Sequence, residues 1–282
     1  MNGTRAVIED LEDENNMKTR IISGFCMVPL VILVYLGSYW LAALCIFIGF
    51  VGVREFYNGF RNMDIHPSMP IAGVALFALY LINGLWPGQP VLIMGWLTAV
   101  IMAGSLYMFN VEKRTPTDAM ATIVGIIYIE FFSYHFVLID QSGPYQIMVW
   151  LCLLCAFGSD IFAYFTGVFL GKHKMTPHLS PKKTWEGAVG GVIGSVLVCG
   201  LFGYFLCPEY LIHCLIIGLV GSPVSMCGDL TASAYKRKMG IKDYGKLIPG
   251  HGGIMDRFDS VFFTAPFVYY YIAIVMVHFQ LG

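Results

Sequence analysis

Carboxylates, cations and glycines are concentrated in three stretches of a chain that is otherwise strongly apolar. The first spans 158–167 and contains Asp160, the second spans 178–187, and the third, the densest, spans 228–259. Carboxylates alone would indicate divalent-cation binding, and cations alone would indicate anionic lipid headgroups. Both together suit phosphates held by Mg²⁺, which usually takes one or two carboxylates plus phosphate oxygens. The pattern therefore predicts metal-assisted chemistry on phosphate groups, which depends mostly on positioning and charge neutralisation.

Helical spacing brings the polar residues of the third stretch together. Three side chains recur at i, i+4 and i+7 if the helix continues past its internal proline, and would share one face: Asp229, Ser233 and Lys236. Asp256 and Asp259, at i and i+3, would share a face where the last apolar segment begins. These two faces are predicted to converge at one side of the membrane.

A glycine-rich turn at 249–253 separates the two groups and can bring backbone close to a ligand. His251 in that turn could act as a base or donate to phosphate, although a lone histidine in a loop is more often neither. The chain contains no G-x-x-x-x-G-K-[ST] loop and no dinucleotide-binding fingerprint. A nucleotide would therefore be bound by another arrangement.

The other two stretches carry charge within or beside apolar segments. Asp160 lies inside one, where a charged side chain costs about 2.5–3.5 kcal/mol on insertion scales, so it is expected to face a cavity or a partner. A structural ion pair or a helix cap is the alternative. Ser180 is predicted to cap a helix that begins at Pro181. Lys182 and Lys183 would then oppose the helix dipole unless an anion binds there, and a solvated basic loop is the simpler reading.

The composition is that of a membrane protein. Of the 282 residues, 57% are hydrophobic and 12% are charged, which is about half the charged share of a soluble protein. The net charge of −1 gives no reason to expect nucleic acid as a partner. A transmembrane helix needs roughly 20 mostly apolar residues. We predict an all-α, polytopic fold with nine such segments, at about 20–37, 39–57, 69–86, 90–109, 119–139, 145–170, 187–206, 209–227 and 260–280.

The 17 Lys and Arg residues predict an orientation. They lie before the first segment or in every second connection, and the remaining connections carry none. Positively charged loops mark the cytoplasmic side, so the N-terminus is expected inside, the C-terminus outside and the first helix retained. The protein is then a multi-pass component of the cell (inner or plasma) membrane, with its polar stretches facing the cytoplasm. The segments divide into an N-terminal group (1–140) and a catalytic C-terminal group (141–282).

Two further patterns are interpreted as packing. Cys152 and Cys155 form a C-x-x-C inside an apolar segment, with no second pair nearby, and free cysteine packs as a small hydrophobe. Four glycines at 187–194 include two G-x-x-x-G spacings, which are typical of close helix contacts in membranes.

The third stretch resembles the signature of the phosphatidate cytidylyltransferases, also called CDP-diacylglycerol synthases. That signature runs Ser-x-apolar-Lys-Arg, four residues, Lys-Asp-x-small, two residues, apolar-Pro-x-His-Gly-Gly-apolar-x-Asp-Arg-apolar-Asp. The chain matches it from Ser233 to Asp259. It departs at Tyr235, where an aliphatic residue or Phe is usual, and at Ala232, where many members carry Glu. The first and second stretches are similar to the same family.

The resemblance implies an enzyme that joins CTP and phosphatidic acid and releases pyrophosphate and CDP-diacylglycerol. It also implies dependence on Mg²⁺, alone or with a second cation, an all-helical fold among membrane lipids, and a homodimer. Carried over by position, the implied metal ligands are Asp229, Asp256 and Asp160, the implied catalytic residues are Lys236, Arg237, Asp259 and His251, and the implied substrate-binding residues are Ser180, Lys182, Lys183, Thr184, Glu186, Ser233, Lys242, Asp243, Gly252, Gly253 and Arg257.

Membrane proteins of other functional classes would carry some of the same charged residues. A CTP-dependent lipid or polyprenol kinase would transfer the γ-phosphoryl group and release CDP rather than pyrophosphate. A transporter could use helices broken at Pro223 and at the 249–253 turn, but the chain shows no repeat symmetry and its polar residues cluster at one face. A structural scaffold would not need four aspartates near apolar segments. The signature favours the cytidylyltransferase.

Overall fold

The computed structural model of the chain describes residues 28–247 and 252–278. Residues 28–36 are helical, and longer helices joined by short connections follow. The elements are α1 Ser38–Phe60, α2 Met69–Leu85, α3 Pro90–Tyr107, α4 Pro116–Asp140, α5 Val149–Leu170, β1 Lys174–Thr176, β2 Ser180–Thr184, α6 Trp185–Leu206, α7 Leu211–Met239 and α8 Met255–Tyr271.

Within the described residues, seven helical segments are long and apolar enough to cross a membrane, namely those containing α1 and α3 to α8. The apolar helix α2, with 17 residues, is shorter. The prediction of an all-α polytopic membrane protein is confirmed, with one short two-stranded hairpin added. The count of nine and the orientation of the termini stay predictions, because the first predicted segment lies only partly within the described residues.

The connections between helices meet at two ends of the bundle. At one end, the turn after α1 reaches the end of α7, where Asn62 Nδ2 donates to the Met239 carbonyl oxygen at 3.3 Å. At the other end, the Ser38 N–H at the start of α1 donates to Asp140 Oδ2 at the end of α4, at 2.6 Å. The connections after α1 and α7, which carry Lys and Arg, therefore share an end. The opposite end holds Asp140, and the connections 86–89, 141–148 and 207–210 carry no Lys or Arg.

Glycines allow α6 to pack closely between α5 and α7. A Cβ at Gly191 would lie 2.7 Å from Cε of Met226 on α7, and a Cβ at Gly194 would overlap the ring of Phe162 on α5. The packing interpretation of these glycines is confirmed. Both cysteines of the C-x-x-C on α5 are fully buried free thiols, which confirms packing for them as well.

The predicted helix start at Pro181 is wrong. Residues 180–184 form β2, which pairs antiparallel with β1, and α6 begins at Trp185. Its N-cap is Thr184, whose Oγ1 accepts the Gly187 N–H at 3.1 Å, and not Ser180. Ser180 and Thr184 are both good N-cap residues, and they lie four positions apart. Because 180–184 pairs with β1, Ser180 lies in a strand and Thr184 becomes the N-cap. Lys182 and Lys183 consequently lie on a strand rather than at a helix N-terminus.

The last two helices extend beyond their predicted ends toward the charged side. Helix α7 runs unbroken through Pro223 to Met239, although the predicted segment ended at 227, and stops at Gly240 in the left-handed region (φ 68°). Helix α8 begins at Met255, five residues before the predicted start. In both cases the apolar run is shorter than the helix that contains it, so hydropathy alone predicts too short a segment. Continuation past Pro223 is therefore confirmed, and both polar faces lie on helices.

Candidate active site

Three carboxylates from three helices interact electrostatically at the charged end of the bundle. They are Asp160 of α5, Asp229 of α7 and Asp259 of α8. Ser260 Oγ links two of them, since it lies 3.4 Å from Asp160 Oδ2 and 3.4 Å from Asp259 Oδ1. Asp259 is buried, whereas Asp160 is exposed. Asp160 therefore lies on the open side of this cluster, and we refer to the space bordered by the three carboxylates as the cleft.

The hairpin lies against the polar face of α7 through two contacts. Lys183 Nζ on β2 forms an ion pair with Asp229 Oδ2 at 2.5 Å, and Ser233 Oγ donates to the other oxygen of that carboxylate at 3.3 Å. Arg237 Nε donates to the Leu179 carbonyl oxygen at 3.2 Å. The second and third polar stretches thus form one site.

Asp256 receives three donors and connects α8 to α7. Lys236 Nζ donates to Asp256 Oδ1 at 2.9 Å, while the N–H groups of Tyr244 and Gly253 donate to Oδ2 at 2.8 and 3.0 Å. The Tyr244 hydroxyl donates to the Ala232 carbonyl oxygen at 2.9 Å. Burial raises the pKa of this phenol, so it remains a neutral donor. The carboxylate thereby ties both ends of the α7–α8 connection to the end of α7.

The remaining predicted residues lie at varied distances from this cluster. Arg257 interacts electrostatically with Asp160, which places it at the cleft. Glu186 is instead engaged at the base of the hairpin, where His173 Nδ1 lies 2.6 Å from Glu186 Oε1. His251 lies outside the described residues. Among the other predicted substrate-binding residues, Lys182, Lys242 and Asp243 are exposed, Ser180 and Gly252 are half-buried, and Thr184 and Gly253 are buried.

Sequence reasoning missed Glu55, a buried carboxylate on α1. Its Oε2 accepts the Met255 N–H at 2.9 Å, across a separation of 200 residues. The signal was present, because Glu55 lies inside the apolar segment predicted at 39–57. Like Asp160, a carboxylate at this position is expected to face a cavity or a partner.

Aromatic residues from the N-terminal half also line the back of the site. Tyr235 of α7 packs edge-on against Phe56 of α1 at 5.0 Å and stacks on Tyr128 of α4 at 6.4 Å. The Tyr128 hydroxyl interacts electrostatically with Asp259. Residues before position 140 therefore contribute walls to the cleft as well as membrane helices.

The donor set is suited to Mg²⁺ that shares its coordination with substrate. Among the described residues, no group of three or more His, Cys, Asp or Glu is arranged to hold a metal. Mg²⁺ usually takes only one or two carboxylates and completes its shell with phosphate oxygens and water. Asp229, with Asp160 and Asp259 beside it, fits that requirement. Asp256 would have to exchange its contact with Lys236 for the metal.

Comparison with known proteins shows the family to which the chain belongs. A sequence model described as "Cytidylyltransferase family" matches residues 18–275. The chain is 32% identical to the phosphatidate cytidylyltransferase of Synechocystis sp., over 91% of this chain and 97% of that protein. It is 30% identical to the enzyme of that name from Thermotoga maritima, over 90% and 96%, and 29% identical to that from Bacillus subtilis, over 92% and 98%.

Proposed function

This chain belongs to the cytidylyltransferase family, and we propose that it is a phosphatidate cytidylyltransferase. It joins CTP to phosphatidic acid and releases CDP-diacylglycerol and pyrophosphate. The observation that carries the proposal is the set of paired lysines and aspartates at one end of a membrane bundle, Lys183 with Asp229 and Lys236 with Asp256. Such a site can accept two phosphate-bearing substrates, one of them embedded in the membrane.

The reaction needs little acid–base chemistry from the protein. The phosphate monoester of phosphatidic acid has a second pKa of about 6, so it is largely ionised near neutral pH. One of its oxygens attacks the α-phosphorus of CTP, a new P–O bond forms, and the bond to the β-phosphate oxygen breaks, which releases pyrophosphate. The protein must therefore hold two polyanions together in line.

The lysine–aspartate pairs supply that charge balance. Before substrate binds, each lysine is neutralised by a carboxylate, so neither charge is left uncompensated in the cleft. Phosphate oxygens compete for Lys183 and Lys236, and Arg237 and Arg257 lie close enough to contact the remaining charge. When bound, Mg²⁺ offsets repulsion between the phosphates and stabilises the leaving group. We assign its binding to Asp229, with Asp160, Asp259 and Asp256 as the further candidate ligands.

The proposal includes a location and an assembly. The protein lies in the cell membrane with the site facing the cytoplasm, because the connections rich in Lys and Arg mark that side. It acts as a homodimer, as the family resemblance implies. Phosphatidic acid reaches the cleft from the surrounding lipid.

The position of the label in CTP tests the reaction directly. Purified protein in mixed detergent–phosphatidate micelles with Mg²⁺ is given CTP labelled at either the α- or the γ-phosphorus. We expect α-label in the lipid and γ-label in pyrophosphate, in equal amounts. The γ-label in lipid with release of CDP would identify a lipid kinase instead. No turnover with any divalent cation would refute the proposed activity.

Variants of acidic residues complete this experiment. Asp229→Asn should abolish transfer of the α-label. Glu209→Gln, which likewise replaces a carboxylate by an amide, changes an exposed residue in the connection between α6 and α7 and should leave that transfer unchanged. Equal activity of the two variants would remove Asp229 from the site.

A further inference from the structure

Glu55 supplies the hydrogen-bond acceptor that the start of α8 lacks. Met255 is the first residue of α8, and the capping residue Ile254 has no side-chain oxygen to accept the free N–H groups there. Glu55 Oε2 accepts the Met255 N–H at 2.9 Å. A carboxylate at this position also interacts favourably with the positive end of the helix dipole. Helix α1 thus caps the N-terminus of helix α8.

The same carboxylate explains two glycines of the signature. A Cβ at Gly245 or at Gly253 would collide with the Glu55 carboxyl group, and for each glycine the three nearest atoms all belong to Glu55. Neither glycine has a positive φ, in contrast to Gly252 at 83°. A larger residue at 245 or 253 would therefore displace the Glu55 carboxylate, whereas the backbone conformation at these two positions does not call for glycine.

The first turn of α8 carries residues of the proposed active site. Asp256 in this turn binds Lys236 and the N–H of Gly253, and Asp259 faces the carboxylate cluster one turn later. Any displacement of this turn would move both carboxylates relative to α7. Glu55 interacts electrostatically with Asp256, and its hydrogen bond to the Met255 N–H holds the backbone that carries both Asp256 and Asp259.

We propose that Glu55 is a positioning residue for the nucleotidyl transfer, holding the first turn of α8 and the two flanking glycines so that Asp256 and Asp259 face the polar side of α7. This inference rests on the proposed function. Misplacement of catalytic groups by about 1 Å can lower a rate by about 100-fold. We therefore expect Glu55→Ala to lower kcat by roughly 10- to 100-fold, with KM for both substrates within about threefold.

A double-mutant cycle isolates the contact. Gly253→Ala should lower kcat to a similar extent, since its methyl group can only be accommodated if the Glu55 carboxylate moves. In the Glu55→Ala background that methyl group has space, so Gly253→Ala should change kcat by less than about twofold. Glu55→Asp, which keeps the charge but shortens the side chain, should recover part of the loss. Glu209→Ala, at an exposed carboxylate, is the matched control and should behave as wild type.

Hydrogen exchange tests the contact between Glu55 and the Met255 N–H without depending on enzyme activity. Peptides covering 252–258 should exchange faster in Glu55→Ala and in Gly253→Ala than in wild type or the control, because the Met255 amide loses its acceptor. A wild-type kcat per folded molecule in Glu55→Ala would overturn the inference, as would equal effects of Gly253→Ala in both backgrounds. A purely structural role would lower the yield of folded protein and leave kcat per folded molecule intact. An inactive wild type would refute the proposed function, and the exchange data would still decide whether Glu55 holds this turn.

Discussion

Substituting Asn for Asp256 and for Asp229 should distinguish a carboxylate that holds the fold from one that serves chemistry alone. The Asp256 side chain is 4% exposed and accepts from Lys236 and from two backbone N–H groups. In Asn, the amide nitrogen would face one of these three donors, and the lysine would lose its counterion. Hydrogen bonds to charged groups contribute about 1.5–3 kcal/mol, so we expect the free energy of unfolding to fall by about 3 kcal/mol.

The environment of Asp229 gives a different expectation. Its side chain is 27% exposed and that of its partner Lys183 is 25% exposed. Ion pairs in contact with solvent contribute about 0–1 kcal/mol. Since 1 kcal/mol shifts the midpoint by about 2–4 °C in proteins of this size, the thermal midpoint should fall by roughly 6–12 °C for Asp256→Asn and by at most about 4 °C for Asp229→Asn. Both variants should lose at least about 100-fold in turnover, a loss typical of removing one charge-stabilising group.

The assay compares thermal unfolding and turnover in the same detergent. Tryptophan fluorescence gives the midpoint, and turnover is measured below the midpoint of the less stable variant. Equal midpoints for the two variants would show that the three donors to Asp256 do not stabilise the fold as the structure implies. A second test uses Lys236→Met in the Asp256→Asn background, which removes the unpaired ammonium group and should raise the midpoint again. A further fall would contradict the buried-pair argument.

Four smaller changes test other parts of the structure. Thr184→Ala removes the N-cap of α6 and should cost about 1 kcal/mol, seen as a midpoint lower by about 2–4 °C; Ser180→Ala, at the position first predicted to be the cap, should not. Gly194→Leu should prevent α6 from packing on α5 and lower the yield of folded protein, whereas Gly95→Leu, with no atom within 4 Å of its added Cβ, should not. Tyr235→Phe should keep turnover within about twofold, because edge-on ring packing on Phe56 does not use the hydroxyl. Lys183→Gln should raise KM for CTP about tenfold or more, as expected for loss of one charge-assisted contact.

Much of the site could be predicted because helical spacing is regular. Asp229, Ser233 and Lys236 share a face for the reason that the sequence suggested, since α7 continues through Pro223. The hairpin was not predicted, because its strands lack the usual signal: β1 has only three residues, and β2 contains Pro181 and no alternation of apolar and polar residues. The sequence pattern also could not predict which carboxylate each lysine pairs with. Ion pairs between β2 and α7 depend on how the helices pack, and the sequence supplies only the charges.

Glu55 shows why sequence rules that treat each segment separately do not predict contacts between segments. A carboxylate in an apolar segment and a glycine pair in a loop each carry a signal, yet only the fold shows that one explains the other. The predicted boundary at residue 140 follows the order of the apolar segments along the chain. The three polar stretches all lie C-terminal to it. The contacts run across that division, because α1 caps α8 and contributes a ring behind the site. The proposed catalytic residues thus lie in the C-terminal half, while their placement depends on contacts from the N-terminal half. We therefore expect substitutions on α1 to alter turnover without touching substrate.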